Sequence, residues 1–176
     1  MNSDYQIGTT LITEEQIRHR ASEIGHLITE EYKGEEVVFV GILKGAVLWL
    51  ADVVKNVALD TKLDFMAVSS YGAETRTSGV VKIVKDLDSG IEGKNVIIVE
   101  DIVDSGITLN YLKGYLSGRN PKSLKICTLL DKPAGRRIEI NADYVGFVVD
   151  DKFIIGYGLD YNQKYRNLPY ISFLEE

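Results

Sequence analysis

Apolar runs of strand length recur along this chain, separated by stretches of helical period or by glycine-rich turns, and this alternation leaves few folds open. EVVFVGIL up to Leu43, LDFMAVSS up to Ser70, NVIIVE up to Glu100, SLKICTLLD up to Asp131 and YVGFVV up to Val149 are rich in β-branched residues. Short runs that are apolar on both faces suit strands buried inside a sheet. The sequence predicts helices over about 46–56 and 109–116, the second stopped by Gly118 and Pro121. An opening helix from Thr13 to Tyr32 is signalled by Ile17, Ala21, Ile24 and Ile28 at steps of three and four, with Thr13 and Gln16 spaced as a capping box. Strand, helix, strand in repetition argues for an α/β domain with a largely parallel sheet. VVKIVKDL at 80–87 alternates as a half-exposed strand does. With the strand at 63–70 it resembles a long hairpin, and the Gly, Ser and Thr of 71–79 between them read as a mobile loop.

Composition narrows the class further. The chain has 176 residues, with 20 Lys and Arg against 26 Asp and Glu, a net charge of −6. That length suits one domain, and an acidic balance gives no basic face for nucleic acid. The longest apolar stretch, 37–54, is broken by Lys44 and Gly45, which argues against a membrane span. The first residues lack the basic and apolar regions of a secretory signal. Cys127 is the only cysteine, so neither an intrachain disulfide nor a thiolate zinc cluster is available, and a reducing cytoplasm fits. His19 and His26 fall on the opening helix, outside any motif. The segment from about 150 to 176 mixes aromatics, glycines and charges, and a small lobe over the sheet edge is expected there.

In open α/β sheets ligands bind beyond the carboxyl ends of the strands. Three segments must lie at that edge: Leu43-Lys44-Gly45, Glu100 to Thr108, and Asp131-Lys132-Pro133. The second presents Glu100 and Asp101, then Asp104, then Ser105-Gly106-Ile107-Thr108 opening a helix. Hydroxyls and free backbone N–H groups at a helix start form an anion cradle suited to phosphate. Carboxylates beside such a cradle would repel an anion unless they take sugar hydroxyls or hold Mg²⁺. Together the parts suit a phosphorylated ribose.

VIIVEDIVDSGIT resembles the phosphoribosyl pyrophosphate (PRPP) motif of the type I phosphoribosyltransferases. GILKGA (41–46), VSSYG (68–72), LLDKP (129–133) and DKFIIGYGLDYNQKYRNLPYI (151–171) resemble the hypoxanthine-guanine branch. The resemblance implies that fold over residues 1–176 as a single domain, with a hood over the base site built from the chain ends, about 1–12 and 150–176. It implies a purine salvage enzyme that uses PRPP, a 6-oxopurine and Mg²⁺, and a homodimer or homotetramer. It places Glu100 and Asp101 on the ribose hydroxyls and the metal, the loop Asp104 to Thr108 on the 5′-phosphate, and Asp104 near N7 of the base as proton acceptor. Lys44, Gly45, Ser70, Tyr71 and Arg166 fall to the pyrophosphate, and Asp160 to the metal near the base. Lys132 would donate to the purine 6-oxo oxygen, Phe153 would stack on the ring and the backbone of Ile154 would read its edge.

Two positions depart from the family pattern. Asp150 stands where many relatives carry proline before the Asp-Lys pair, and Ile107 stands where some carry lysine. A PRPP-sensing regulator that binds nucleic acid is the alternative on the same fold; the acidic charge opposes it. An aspartyl-phosphate receiver would leave the 151–171 segment unexplained, and no G-x-G-x-x-G follows a strand, which excludes a nicotinamide-binding domain.

Overall fold

The computed structural model describes residues 6–70 and 81–175. The opening helix α1 spans Glu14–Glu31. Its start has the predicted reciprocal cap: Gln16 N donates to Thr13 Oγ1, and Thr13 N donates to Gln16 Oε1. A short strand, β1 (Gln6–Ile7), precedes it. Strand β2 (Val37–Leu43) leads to helix α2 (Val47–Val54) and strand β3 (Thr61–Ser70), and β4 (Val81–Lys85) runs back antiparallel to β3. The predicted hairpin is therefore present, while its tip lies outside the described residues. Strand β5 (Asn95–Val103) leads to helix α3 (Ile107–Ser117) and strand β6 (Ser123–Asp131), followed by β7 (Tyr144–Val148). The last strands are β8 (Ile154–Ile155) and β9 (Ser172–Glu175).

The main sheet has the order β4-β3-β2-β5-β6-β7, and every neighbouring pair except β3 and β4 is parallel. The chain leaves β2 toward β3 on one side and leaves β5 toward β6 on the other. The winding thus reverses between β2 and β5, and the crevice at their carboxyl ends is the site that this topology makes for a ligand. The core lies on both faces. On one, Ile17, Ile24 and Ile28 of α1 and Trp49, Leu50 and Val53 of α2 pack on Phe39, Ile97, Val99 and Cys127. On the other, Leu109, Leu112 and Leu116 of α3 pack on Val40, Val96, Ile98 and Ile126. Buried side chains of this size contribute about 1.5–3 kcal/mol each. Burial pushes the Cys127 thiol up to about 12, which keeps it an inert core residue.

A second sheet joins the chain ends in the order β1-β9-β8. A bridge between Ile12 and Ile171 ties it to the start of α1. No helix among the described residues is long and apolar enough to cross a membrane.

The end of β4 is pinned to α3 through Asp86, which accepts from Arg119 Nη2 (2.5 Å) and from the Tyr115 hydroxyl (2.7 Å). The Arg119 hydrogen bond is the main cause that holds the Asp86 carboxyl down at about 2. A carboxyl lowered on folding contributes stability above its unfolded pKa, and that contribution disappears as pH falls through the folded value. Asp86→Asn should therefore remove part of the loss of stability between about pH 4 and pH 2. Urea midpoints measured across this range check it; an unchanged acid dependence would remove the assigned pairing.

Candidate active site

Strand β5 continues three residues further than its apolar run. Glu100, the predicted last residue of the strand, is followed in it by Asp101, Ile102 and Val103, predicted as loop, because pairing with β6 extends through Val103 and Asp131. Glu100 is buried and Asp101 half-buried as a result. Burial, with Asp101 beside it, pushes the Glu100 carboxyl well above the usual carboxylate range, and burial also raises Asp101. A group that binds here and carries positive charge or hydrogen-bond donors therefore gains most from this pair.

The neighbouring strand end supplies the room. After β2 the Leu43–Lys44 peptide is cis, and Gly45 meets the Asp101 side chain so closely that a Cβ on it would stand 1.6 Å from Asp101 Oδ2. Gly158 presses on the same loop from the other side: its Cβ would stand 2.0 Å from the Gly45 carbonyl oxygen, and its φ is +99°. Lys44 Nζ donates to Gln163 Oε1 at 3.2 Å. Arg166 is 2.8 Å from Asp160 Oδ1 and donates to the Gly158 carbonyl at 2.6 Å. These contacts dock the 156–166 segment on the loop after β2.

Helix α3 begins on Gly106, whose φ of +81° suits glycine, and no side chain caps it. Ile107 N donates to Ser105 Oγ at 3.3 Å. Ile107 is the first helical residue rather than part of a loop. The helix start faces a cavity of about 460 Å³, which is lined by Lys44, Gly45, Glu100, Asp101, Asp104, Ser105, Gly106, Thr108, Asp160 and Arg166. Anions are favoured there by the helix dipole and the unused N–H groups.

A second recess of about 240 Å³ shares Asp101, Asp104 and Asp160 with the first and adds Lys132, Lys152, Phe153 and Ile154. Lys132 Nζ lies 3.1 Å from Asp104 Oδ2 and 3.5 Å from Asp151 Oδ1. Phe153 is 54% exposed and meets Tyr161 edge to face at 5.6 Å, so it is an open aromatic surface and not core. Of the remaining predicted residues, Ser70 ends β3, paired with Val81, and Tyr71 lies outside the described residues.

The predicted metal ligands Glu100, Asp101 and Asp160 do not form a ready cage: no three such groups among the described residues could hold a metal together. Asp160 already meets Arg166 and accepts from Gln163 N at 2.8 Å. The set still fits Mg²⁺, which binds through one or two carboxylates plus phosphate oxygens and water. Sequence reasoning missed Gly158, Asp151 and Gln163. Glycine in a GYG run was the one visible signal, since close approach of two backbones cannot be read from composition.

Comparison with known proteins shows the family of the chain. The family described as a phosphoribosyl transferase domain matches residues 8–162. The hypoxanthine-guanine phosphoribosyltransferase of Bacillus subtilis is 50% identical over 171 residues, 97% of this chain and 95% of that protein. The hypoxanthine phosphoribosyltransferase of Escherichia coli is 50% identical over 164 residues, 92% of each. A bifunctional TilS/HprT protein of Listeria monocytogenes is 51% identical over 175 residues, and there the chain spans only 27% of the relative's length. Among solved structures, a hypoxanthine-guanine phosphoribosyltransferase of Bacillus anthracis superposes with a TM-score of 0.92 at 48% identity, over 97% of this chain and 100% of that one.

Because Gly158 combines a left-handed φ with contact on the Gly45 carbonyl, Gly158→Ala should cost about 1–3 kcal/mol or more. Equilibrium urea unfolding measures this, and a loss below about 0.5 kcal/mol would contradict the close approach.

Proposed function

The chain belongs to the phosphoribosyltransferase family, and from that premise we propose that it transfers the 5-phosphoribosyl group of PRPP to N9 of hypoxanthine or guanine, giving IMP or GMP and pyrophosphate. The observation that supports this reading most is the 3.1 Å pair of Lys132 Nζ and Asp104 Oδ2 at the floor of a recess with an exposed aromatic. The 6-oxo oxygen and N7 are neighbours on one edge of a 6-oxopurine. A donor beside an acceptor at hydrogen-bond separation matches that edge, with Lys132 donating to the oxygen and Asp104 accepting from N7–H. Adenine presents an amino group in place of the oxygen, and an ammonium has no acceptor to offer it.

The 5′-phosphate sits at the start of α3, on the backbone N–H groups and on the hydroxyls of Ser105 and Thr108. Glu100 and Asp101 accept from the ribose hydroxyls. Lys44, Gly45, Ser70, Tyr71 and Arg166 hold the pyrophosphate, while Phe153 stacks on the base and the Ile154 backbone reads its edge. With Glu100, Asp101 and Asp160 as its protein ligands, Mg²⁺ would neutralise charge on the departing pyrophosphate. As N9 forms its bond to C1 of the ribose, the bond from C1 to pyrophosphate breaks and the N7 proton passes to Asp104. Positioning and electrostatic stabilisation supply most of the rate. The small sheet of the chain ends acts as the hood over the base. The cytoplasm is the proposed location, and a homodimer or homotetramer without nucleic acid or membrane is the proposed assembly.

An absorbance assay with PRPP, Mg²⁺ and each of hypoxanthine, guanine, xanthine and adenine tests the reading. Turnover of hypoxanthine or guanine, abolished by EDTA and absent with adenine, is expected. No turnover beside measurable PRPP binding would favour a PRPP-sensing regulator. Asp104→Asn should lower kcat by about 10²-fold or more while PRPP still binds; an unchanged kcat removes its role. Lys132→Ala should erode the preference for hypoxanthine over adenine, and an unaltered ratio would refute the contact.

A further inference from the structure

Asp104 is held by a residue that has no side chain. After β6 the chain turns through Pro133–Gly135, and Gly135 comes so close to Asp104 that a Cβ on it would stand 1.7 Å from Asp104 Oδ1 and 3.3 Å from Lys132 Cε. The other carboxylate oxygen is the one paired with Lys132. One glycine therefore backs both groups that face the base.

The turn itself cannot easily retreat. Lys132 N donates to the Val103 carbonyl at 3.0 Å, and Arg137 N and Ile138 N both donate to the Ser105 carbonyl, at 2.9 and 3.1 Å. Arg136 is paired with Asp131 within the same turn. Gly106 abuts this segment as well, since its Cβ would stand 2.9 Å from the Ile138 carbonyl oxygen. The phosphate loop and the lysine turn are thus latched together on both sides of Asp104.

On the reading above, we propose that Gly135 is a positioning residue for the reaction: its bare Cα is the seat that fixes the Asp104 carboxylate at the base. Its φ lies outside the left-handed region, so alanine meets no backbone objection there; its main conflict is with the carboxylate, while the Lys132 Cε contact at 3.3 Å asks only a few tenths of an ångström of a flexible side chain. Asp104 is 48% exposed in its side chain and can swing into the cleft, which spares the fold. The chemistry is not spared, because a misplacement of about 1 Å in a reacting group can cost on the order of 10²-fold.

The test compares Gly135→Ala in the wild-type and Asp104→Ala backgrounds, with kcat, the PRPP KM, IMP affinity by calorimetry and thermal midpoints. In the wild-type background, kcat should fall about 10-fold or more with PRPP KM changed by less than about threefold. The thermal midpoint should move by less than about 2 °C. In the Asp104→Ala background the same substitution should change kcat and IMP affinity by less than about threefold, since the displaced group is gone. An unchanged kcat in the wild-type background would overturn the proposal, as would an equal loss in both backgrounds, which marks a general structural effect. Absence of turnover in the wild-type protein itself would instead sink the parent reading, and this inference with it.

Discussion

Two adjacent carboxylates, one buried and one half-buried, stand where the most apolar strand of the sheet ends, and the arrangement around them follows from that burial. Charges removed from water are costly by several kcal/mol each unless paired, and here the burial raises both Glu100 and Asp101. Among the described residues no lysine or arginine acts on Glu100. The fold leaves a cavity there, with Gly45 thinned to admit Asp101. On the proposed function, hydroxyl donors of a ribose and a divalent cation shared with pyrophosphate would supply what the carboxylates lack.

The same sheet edge separates unlike electrostatic tasks over short distances. The start of α3 favours anions, the strand end favours donors and cations, and the Lys132 and Asp104 pair offers one donor and one acceptor to a flat ring. The reversal of winding between β2 and β5 opens the crevice that unites them. Each task comes from a different element, yet backbone hydrogen bonds from 132–138 to Val103 and Ser105 tie the lysine turn to the loop before α3. Position is thereby set by main chain, the least adaptable part of the protein.

Much of this was legible in the sequence. Apolar runs bounded by glycine gave the strands, and Thr13 with Gln16 gave the start of α1 to the residue. The acids and hydroxyls of 100–108 suit a phosphorylated ribose by their chemistry, and the structure gathers them at one cavity with Lys44, Asp160 and Arg166. The extension of β5 through Val103 was not legible, because acidic residues disfavour strands and only pairing with β6 overrides them. The seats at Gly45, Gly135 and Gly158 were hidden for another reason: each depends on a partner far away in sequence. The coiled path of 156–166, with Tyr157 and Tyr165 at φ of 46° and 75°, contradicts local preference and is fixed by contacts with Asp52, Gly45 and Arg166.

The central claim is that one cleft holds the phosphate at α3 and the purine between Phe153 and the Lys132 and Asp104 pair. Diffraction from crystals of the protein grown with GMP tests it most directly. The account predicts the 5′-phosphate on the backbone of 105–108, the ribose hydroxyls at Glu100 and Asp101, and the 6-oxo oxygen at Lys132 Nζ with N7 toward Asp104. A nucleotide bound with its base away from Lys132, or its phosphate away from the start of α3, would contradict it.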